Sequence, residues 1–208
     1  RMPLAATTWH ALLQIVTVGL GSPLGREGAP REIAAAHAGR LARAMKLTGD
    51  ETRVLVASAA GAGLAAVYNV PLGGALFALE GLLGTFRFSS VLPALATSCI
   101  ASMVAWIGLG DVPSYAFAPE AISVPLVAWS LAAGPLFGAA AFGFVRCVAW
   151  ARERAPRDRR MIPSCLALFL ALGFLAVPFP ELLGNGKGPI QLGFYDELTP
   201  GIAAALFA

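Results

Sequence analysis

The residues best suited to binding an anion lie in one short stretch, Gly25-Arg26-Glu27-Gly28-Ala29-Pro30. Glycine lets the backbone turn sharply and approach a ligand closely, and a proline in the first turn suits the start of a helix. A helix that begins here presents unpaired backbone N–H groups, which attract anions together with the helix dipole. The alternative is an ordinary acidic residue in the first turn of a helix at a membrane surface, and the rest of the chain decides between the two.

The composition is that of a membrane protein. Of the 208 residues, 57% are hydrophobic and only 13% are charged, whereas soluble domains carry about a quarter charged residues. The net charge of +3 does not indicate nucleic acid, because the basic residues cluster in loops and at helix ends, as membrane topology alone would produce. We therefore expect a multi-pass integral membrane protein in a lipid bilayer, without a nucleic-acid partner.

Apolar segments separated by breaks predict an all-α protein. A short apolar helix is expected at 9–22 and a basic, alanine-rich helix at 28–47, followed by a helix stop and a new start at 48–51. The longest apolar tract, 54–86, is interrupted at 69–71, because Pro71 disfavours a helical conformation in the residue before it. Irregular backbone at membrane depth is tolerated only where it is buried in protein or lines a wet cavity. This tract is therefore predicted to be a helix, a break and a second short helix.

The first part of that tract consists of small residues from Ala57 to Ala66, which is typical of a surface for close helix packing. The other predicted segments are a transmembrane helix at 88–109, a loop at 110–123, a long helix at 125–154, a crossing helix at 162–177, a loop rich in proline and glycine at 178–193 and the start of a helix at 199–208. The long helix would measure about 45 Å at the usual rise of 1.5 Å per residue, so it should tilt or protrude.

We expect no enzymatic activity, no cofactor and no bound metal. The sequence has no paired histidines, no cluster of metal-ligand residues and no serine nucleophile motif, and Gly186-Lys187-Gly188 lacks the rest of a phosphate-binding loop. No residue is assigned a catalytic role. The candidates for function are instead ionised residues close to apolar helices, Glu27 and Glu80 among them, since such acids mark ion or proton pathways.

A second motif follows the first by about forty residues, from Ala62 to Glu80, and reads AGLAAVYNVPLGGALFALE. With the stretch Gly25-Arg26-Glu27-Gly28, in this order and spacing, it resembles the CLC family of chloride channels and chloride/proton antiporters. The two motifs together are highly specific, and the similarity extends along the whole chain while weakening after residue 110. The segment 184–188 is only loosely similar to a glycine-rich loop of the family.

The resemblance implies a helical membrane fold of two inverted repeats, in which broken helices point their N-termini at a dehydrated anion. It also implies a homodimer with one pore per subunit that carries chloride or a similar halide, in a bacterial cell membrane. Glu27 matches the gating glutamate of the family, whose carboxylate can occupy the place of an anion. The anion-binding candidates are Arg26, Glu27, Gly28 and Ala29, with Arg26 as an electrostatic support more than a ligand.

The chain departs from the family pattern at two places. Ala29 separates Gly28 from Pro30, whereas the family usually has proline directly after the second glycine, so the first turn of the helix should change slightly. Antiporters of the family end the second motif in two glutamates, of which the second passes protons on the inner side. Glu80 matches the first and Gly81 takes the place of the second, so both are candidates for the proton pathway, although Glu80 could equally be a helix-end carboxylate at the interface.

We expect residues 1–208 to be part of one transmembrane domain without a separate soluble domain. The sequence starts with arginine and stops within a predicted helix, so we expect it to be truncated at both ends. On the resemblance, a serine-containing ion loop would precede Arg1, and the second-repeat loop and a tyrosine would follow Ala208.

The resulting hypothesis is a halide path gated by Glu27, with channel-like or weakly proton-coupled transport. Glycine neither holds a proton nor orients water with a side chain, and adjacent residues on an α-helix point about 100° apart, so Glu80 cannot simply replace an acid at position 81. Two alternatives remain open. One is a chloride/proton antiporter of the same family, and the other is an unrelated proton-coupled transporter that uses Glu27 and Glu80 as relay groups.

The topology can be tested at the most basic segment, which includes Arg152, Arg154, Arg157, Arg159 and Arg160. Short loops rich in arginine stay in the cytoplasm, and counting back from this loop places 110–123 outside. With the native cysteines removed, a cysteine at Asp158 should resist membrane-impermeant thiol reagents in intact cells, while a control cysteine at Val112 should react. Rapid labelling at Asp158 would overturn the topology.

Overall fold

The computed structural model describes residues 3–112, 115, 122–195, 197 and 199–202, and every regular element in them is helical, as predicted. The chain divides into two compact units, one of residues 1–116 with 183–208 and one of residues 117–182. The first unit contains α1 Leu4–Gly19, α2 Gly28–Ala44, α3 Gly49–Tyr68, α4 Pro71–Leu76, a π-helical segment Phe77–Leu83 and α5 Phe88–Leu109. The second contains α6 Val124–Arg154, α7 Met161–Ala176 and a 3-10 turn Pro180–Leu182, after which α8 Lys187–Phe194 belongs to the first unit again.

The break in the longest apolar tract is confirmed. Helix α3 ends at Tyr68, Asn69 adopts a left-handed conformation with φ 56° and ψ 43°, and α4 starts with Pro71. Asparagine tolerates this conformation better than most residues, and proline is well placed at the first position of a helix. The chain therefore stops one helix and starts the next within two residues.

Two of the predictions were wrong, the start of the first helix and the loop at 178–193. Helix α1 begins at Leu4, well before residue 9, and within it the hydroxyl of Thr8 donates to the Leu4 carbonyl oxygen (2.8 Å). The predicted loop at 178–193 contains α8, because Gly186, at φ 80°, turns the chain and Pro189 falls in the first turn, where its missing N–H does no harm. The predicted loop at 110–123 and the predicted helix at 199–208 lie largely outside the described residues.

Helix α3 is the central element of the first unit and packs against α2, α4 and α5. Its small-residue surface is confirmed as a close packing face: a Cβ on Gly61 would overlap the backbone oxygen of Gly74, and a Cβ on Gly74 would overlap that of Gly61. On another side of α3, a Cβ on Gly63 would lie 2.5 Å from the Pro30 oxygen in α2. Glycine is required at these positions because backbone touches backbone.

The interior of the first unit consists mostly of small side chains, with Leu79 and Leu83 as buried larger ones, and most of the large apolar side chains point outward. In α5, Ser98 and Ser102 are almost fully buried, whereas Ile107 is 88% exposed. This is the reverse of a soluble protein, in which isoleucine is among the most buried residues. Helices α5 and α6 are also long and apolar enough to cross a membrane.

Helix α3 starts at Gly49, within the predicted new start at 48–51, and a capping box holds its first turn. The backbone N–H of Thr48 donates to Glu51 Oε2 (2.9 Å), the Thr48 hydroxyl donates to the same oxygen (2.8 Å), and the Glu51 N–H donates back to the hydroxyl (3.4 Å). These donors, the backbone N–H first, hold the pKa of Glu51, which precedes the apolar tract, below its usual range. The contribution to stability is thus present above the unfolded pKa and is lost as the pH falls through the lower folded value.

The glycine contacts predict a difference between two Gly→Ala substitutions. Gly61→Ala should lower the free energy of unfolding of the full-length protein by about 3 kcal/mol, the upper end of the usual cost of overpacking. Gly39→Ala is the control, since its Cβ would meet neighbouring atoms only at 3.8 Å, and it should raise the stability by up to about 1 kcal/mol through helix propensity. Thermal unfolding in detergent measures both, and equal melting temperatures would contradict the packing described here.

Candidate functional site

The predicted anion-binding stretch lies at the start of α2, as expected. Glu27 is the N-cap residue, with φ −72° and ψ −27°, and Gly28 is the first helical residue. The first N–H groups of a helix have no carbonyl partner within it, and Pro30 has no N–H at all. The donors at this helix end are therefore the backbone N–H groups of Glu27, Gly28 and Ala29. Ala29 is fully buried, so the first turn accommodates the additional residue inside the protein.

The Glu27 side chain does not cap its own helix. It turns back over Gly25, where a Cβ would overlap Glu27 Oε2. The other carboxylate oxygen, Oε1, accepts a hydrogen bond from the hydroxyl of Tyr68 at the end of α3. The absence of a side chain at Gly25 is thus what allows the half-buried carboxylate to rest beside the helix start.

Arg26 lies against the tyrosine that binds Glu27. Its Cζ atom is 5.4 Å from the centroid of the Tyr68 ring, within the range of a cation–π contact. The Arg26 Nε atom is buried and has no hydrogen-bond partner among the described residues. The Arg26 guanidinium therefore places positive charge near the Glu27 carboxylate, but the two groups form no ion pair among the described residues.

Two more polar residues position the stretch, and sequence reasoning missed both. Arg31 Nε donates to the Glu27 carbonyl oxygen (2.9 Å), and Arg31 Cζ lies 5.2 Å from the Phe77 ring centroid, which ties α2 to the π-helical segment. Gln14 Nε2 donates to the Gly25 carbonyl oxygen (3.0 Å) from α1. Two sequence features could have indicated these residues: Arg31 is a basic residue one turn after Glu27, and Gln14 is a single amide within an apolar segment. Tyr68 stood in the second motif, but no role was assigned to it.

The end of α3 is held firmly in place. Trp106 Nε1 donates to Asn69 Oδ1 (2.8 Å), and Asn69 Nδ2 donates to the Asp111 carbonyl oxygen (3.2 Å). One turn earlier, the Ser102 hydroxyl donates to the Ala65 carbonyl oxygen (3.2 Å). These bonds to α5 and the residues after it fix the position from which Tyr68 reaches Glu27.

A cavity of about 190 Å³ adjoins this region, and two basic residues, Arg26 and Lys187, are among those that line it. Asn69 and Trp106 line it as well. A cleft with charges of one sign raises the local concentration of ions of the opposite sign. The positive charge of these two residues therefore makes the cavity favourable for an anion.

Glu80 and Gly81 lie in the π-helical segment, and both are exposed. The α-helical geometry assumed for them was wrong. A π-helix bonds each residue to the fifth one along and so has a wider turn than an α-helix, which brings adjacent side chains closer in direction; such segments are frequent at functional sites. A Cβ on Gly81 would lie 3.4 Å from Phe77 Cδ2, so a side chain fits there.

Comparisons with known proteins agree with the two motifs. The sequence pattern of the family described as voltage gated chloride channel matches residues 1–208. The chain is 30% identical to a ClcB-like chloride channel protein of Ralstonia nicotianae, over 85% of this chain and 43% of that protein. It is 32% identical to a chloride/fluoride channel protein of Pseudomonas syringae pv. tomato (66% and 31%), and 30% identical to the voltage-gated ClC-type chloride channel ClcB of Escherichia coli O9:H4 (90% and 45%). The chain thus spans less than half the length of these relatives.

Proposed function

Because the chain belongs to the voltage-gated chloride channel (CLC) family and is an integral membrane protein, we propose that it forms part of a membrane path for chloride or a similar halide. Glu27 gates this path. The observation that supports the proposal is the position of the Glu27 carboxylate, half-buried at the start of α2 beside a guanidinium.

The proposed gate works by competition between negative charges. The N–H groups of Glu27, Gly28 and Ala29, the helix dipole and the nearby charge of Arg26 favour one anion at this helix end. The Glu27 carboxylate makes no capping hydrogen bond to this helix end and lies back over Gly25, close in the chain to these groups. If the carboxylate is protonated or swings away, a halide can take its place, so protonation opens the path.

The transport is channel-like or weakly coupled to protons. Gly81 stands where antiporters of the family have a proton-transferring glutamate, and Glu80 beside it is exposed in the π-helical segment. The relatives are themselves named as channels. A strictly coupled antiporter of the same family is the alternative, since a residue or water chain elsewhere could transfer the proton.

The assembly is proposed on the same basis. Residues 1–208 form part of one transmembrane domain, which pairs with a second copy in a homodimer and has one path per subunit. The family membership supports this arrangement, and the outward-facing large apolar side chains are suited to contact with lipid or with other transmembrane helices.

The gating role predicts the effect of removing one charge. In the full-length protein, Glu27→Gln should mimic the protonated residue, raise halide flux at neutral pH and abolish its activation by acid, because the amide cannot compete with an anion. Halide efflux from liposomes, measured from pH 4.5 to 8, tests this.

Glu32→Gln is the matched control for this experiment. Glu32 lies on the same helix, its side chain is 39% exposed, and its Oε2 contacts His10 Nδ1 at 3.1 Å. We expect it to leave flux and pH dependence unchanged. If Glu27→Gln behaves like Glu32→Gln, Glu27 is not the gate.

The coupling proposal predicts that liposomes with an imposed chloride gradient show no sustained uphill proton movement at a fixed chloride-to-proton ratio. The companion variant is Gly81→Glu, at an exposed position where a Cβ would lie 3.4 Å from Phe77 Cδ2. It should leave passive halide flux intact if position 81 lies on no proton route. A fixed ratio in the wild-type protein would show an antiporter instead.

A further inference from the structure

One hydrogen bond joins the two motifs across 41 positions of the chain, from the Tyr68 hydroxyl to Glu27 Oε1. A phenol hydroxyl donates to an ionised carboxylate more strongly than to a neutral acceptor, by roughly a factor of two. The bond is therefore stronger when Glu27 is charged and weaker once Glu27 binds a proton. The strength of this hydrogen bond therefore changes with protonation of Glu27, the step on which the proposed gate depends.

Tyr68 is not free to follow the carboxylate when it moves. It is the last residue of α3, directly before Asn69, whose side chain is bonded to Trp106 and to the Asp111 backbone. Helix α3 also touches α2 backbone to backbone at Gly63 and Pro30. These contacts hold the backbone from which Tyr68 extends, whereas the Glu27 carboxylate lies at the end of a flexible side chain.

The charged groups that act on the Glu27 carboxylate within the described residues are Arg31 and Arg26, both of which favour its ionised form. Arg31 follows Glu27 by one turn of α2, and Arg26 precedes it directly. From α3 the facing titratable group is Tyr68 itself, and from the π-helical segment the neighbour is the uncharged Phe77, under Arg31. Replacing Tyr68 by phenylalanine would thus remove the donor to Glu27, together with the phenol oxygen that accepts from Arg26, and leave both positive charges in place.

From these contacts we infer that Tyr68 is a positioning residue for the gate: its hydroxyl holds the ionised Glu27 carboxylate over Gly25 and keeps the path closed. Protonation of Glu27 weakens the bond and releases the side chain. This inference rests on the proposed function of Glu27 and adds a second residue, on another helix, that sets the pH at which the path opens.

The decisive variant is Tyr68→Phe in the full-length protein, which keeps the ring and its contact with Arg26. Without the hydroxyl, ionised Glu27 loses a stabilising donor and binds a proton at higher pH. The half-activation pH of halide efflux should rise by about one unit, and flux at neutral pH should rise on the order of tenfold. The control is Tyr195→Phe, which removes a hydroxyl from a residue that is 57% exposed and should change neither quantity.

Two further variants separate the possible failures. In the Glu27→Gln background, Tyr68→Phe should cause no additional change, because the amide carries no charge for the hydroxyl to hold. Gly25→Ala removes the space that the carboxylate occupies, so it should shift the pH profile in the same direction as Tyr68→Phe. Melting temperatures close to wild type show that the variants are folded.

The outcomes are distinct. If Glu27→Gln itself leaves the pH profile unchanged, the proposed gate fails, and the inference about Tyr68 fails with it. If Glu27→Gln opens the path but Tyr68→Phe matches wild type, or if only Gly25→Ala shifts the profile, the gate stands and the role of Tyr68 is overturned. If Tyr68→Phe changes flux by the same factor in the wild-type protein and in the Glu27→Gln variant, Tyr68 acts on the anion or on the fold and not through Glu27. That result also overturns the inference.

Discussion

The structure of the first unit depends on direct contact between helix backbones. Helix α3 touches α4 through Gly61 and Gly74, and it touches α2 through Gly63 and Pro30. Two helix backbones can make dispersion contacts with each other only if no side chain lies between them. For this reason the interior consists mostly of alanine, glycine and serine. The contact at Pro30 lies in the first turn of α2. The position of this helix end, the proposed anion site, is therefore set by packing of α3 against a residue three positions after Glu27.

Hydrogen bonds then fix the parts of the site that helix packing does not hold. The end of α3 is bonded to α5 through Asn69 and Trp106, and the loop before α2 is bonded to α1 through Gln14 and Gly25. Arg31 links the Glu27 carbonyl to the ring of Phe77, where the π-helical segment begins. The Glu27 carboxylate, in contrast, lies at the end of a flexible side chain and accepts from Tyr68 on another helix. A fixed frame around one such charged group suits the proposed gate.

Much of this arrangement could be predicted from the sequence. Pro71, the glycine-flanked Glu27 and the small residues from Ala57 to Ala66 each have a local physical meaning, and they gave the break, the helix start and the packing face correctly. The role of Tyr68 could not be predicted, because its bond to Glu27 depends on how two helices pack and not on local pattern. Helix α8 was missed because proline and glycine disfavour helices in general, yet here Pro189 lies in the first turn, where the helix tolerates it. The π-helical segment has no sequence signature of its own.

The glycine contacts also bear on the order in which the protein assembles. Gly61 and Gly74 stand close together along the chain, on either side of the turn at Asn69, so their contact closes a short loop at low entropic cost. The bond between Tyr68 and Glu27 closes a much longer loop across 41 positions. On loop-closure entropy alone, we expect the hairpin of α3 and α4 to form before α2 docks onto it. The charged end of α2 would then reach Tyr68 after the surface that receives it has formed.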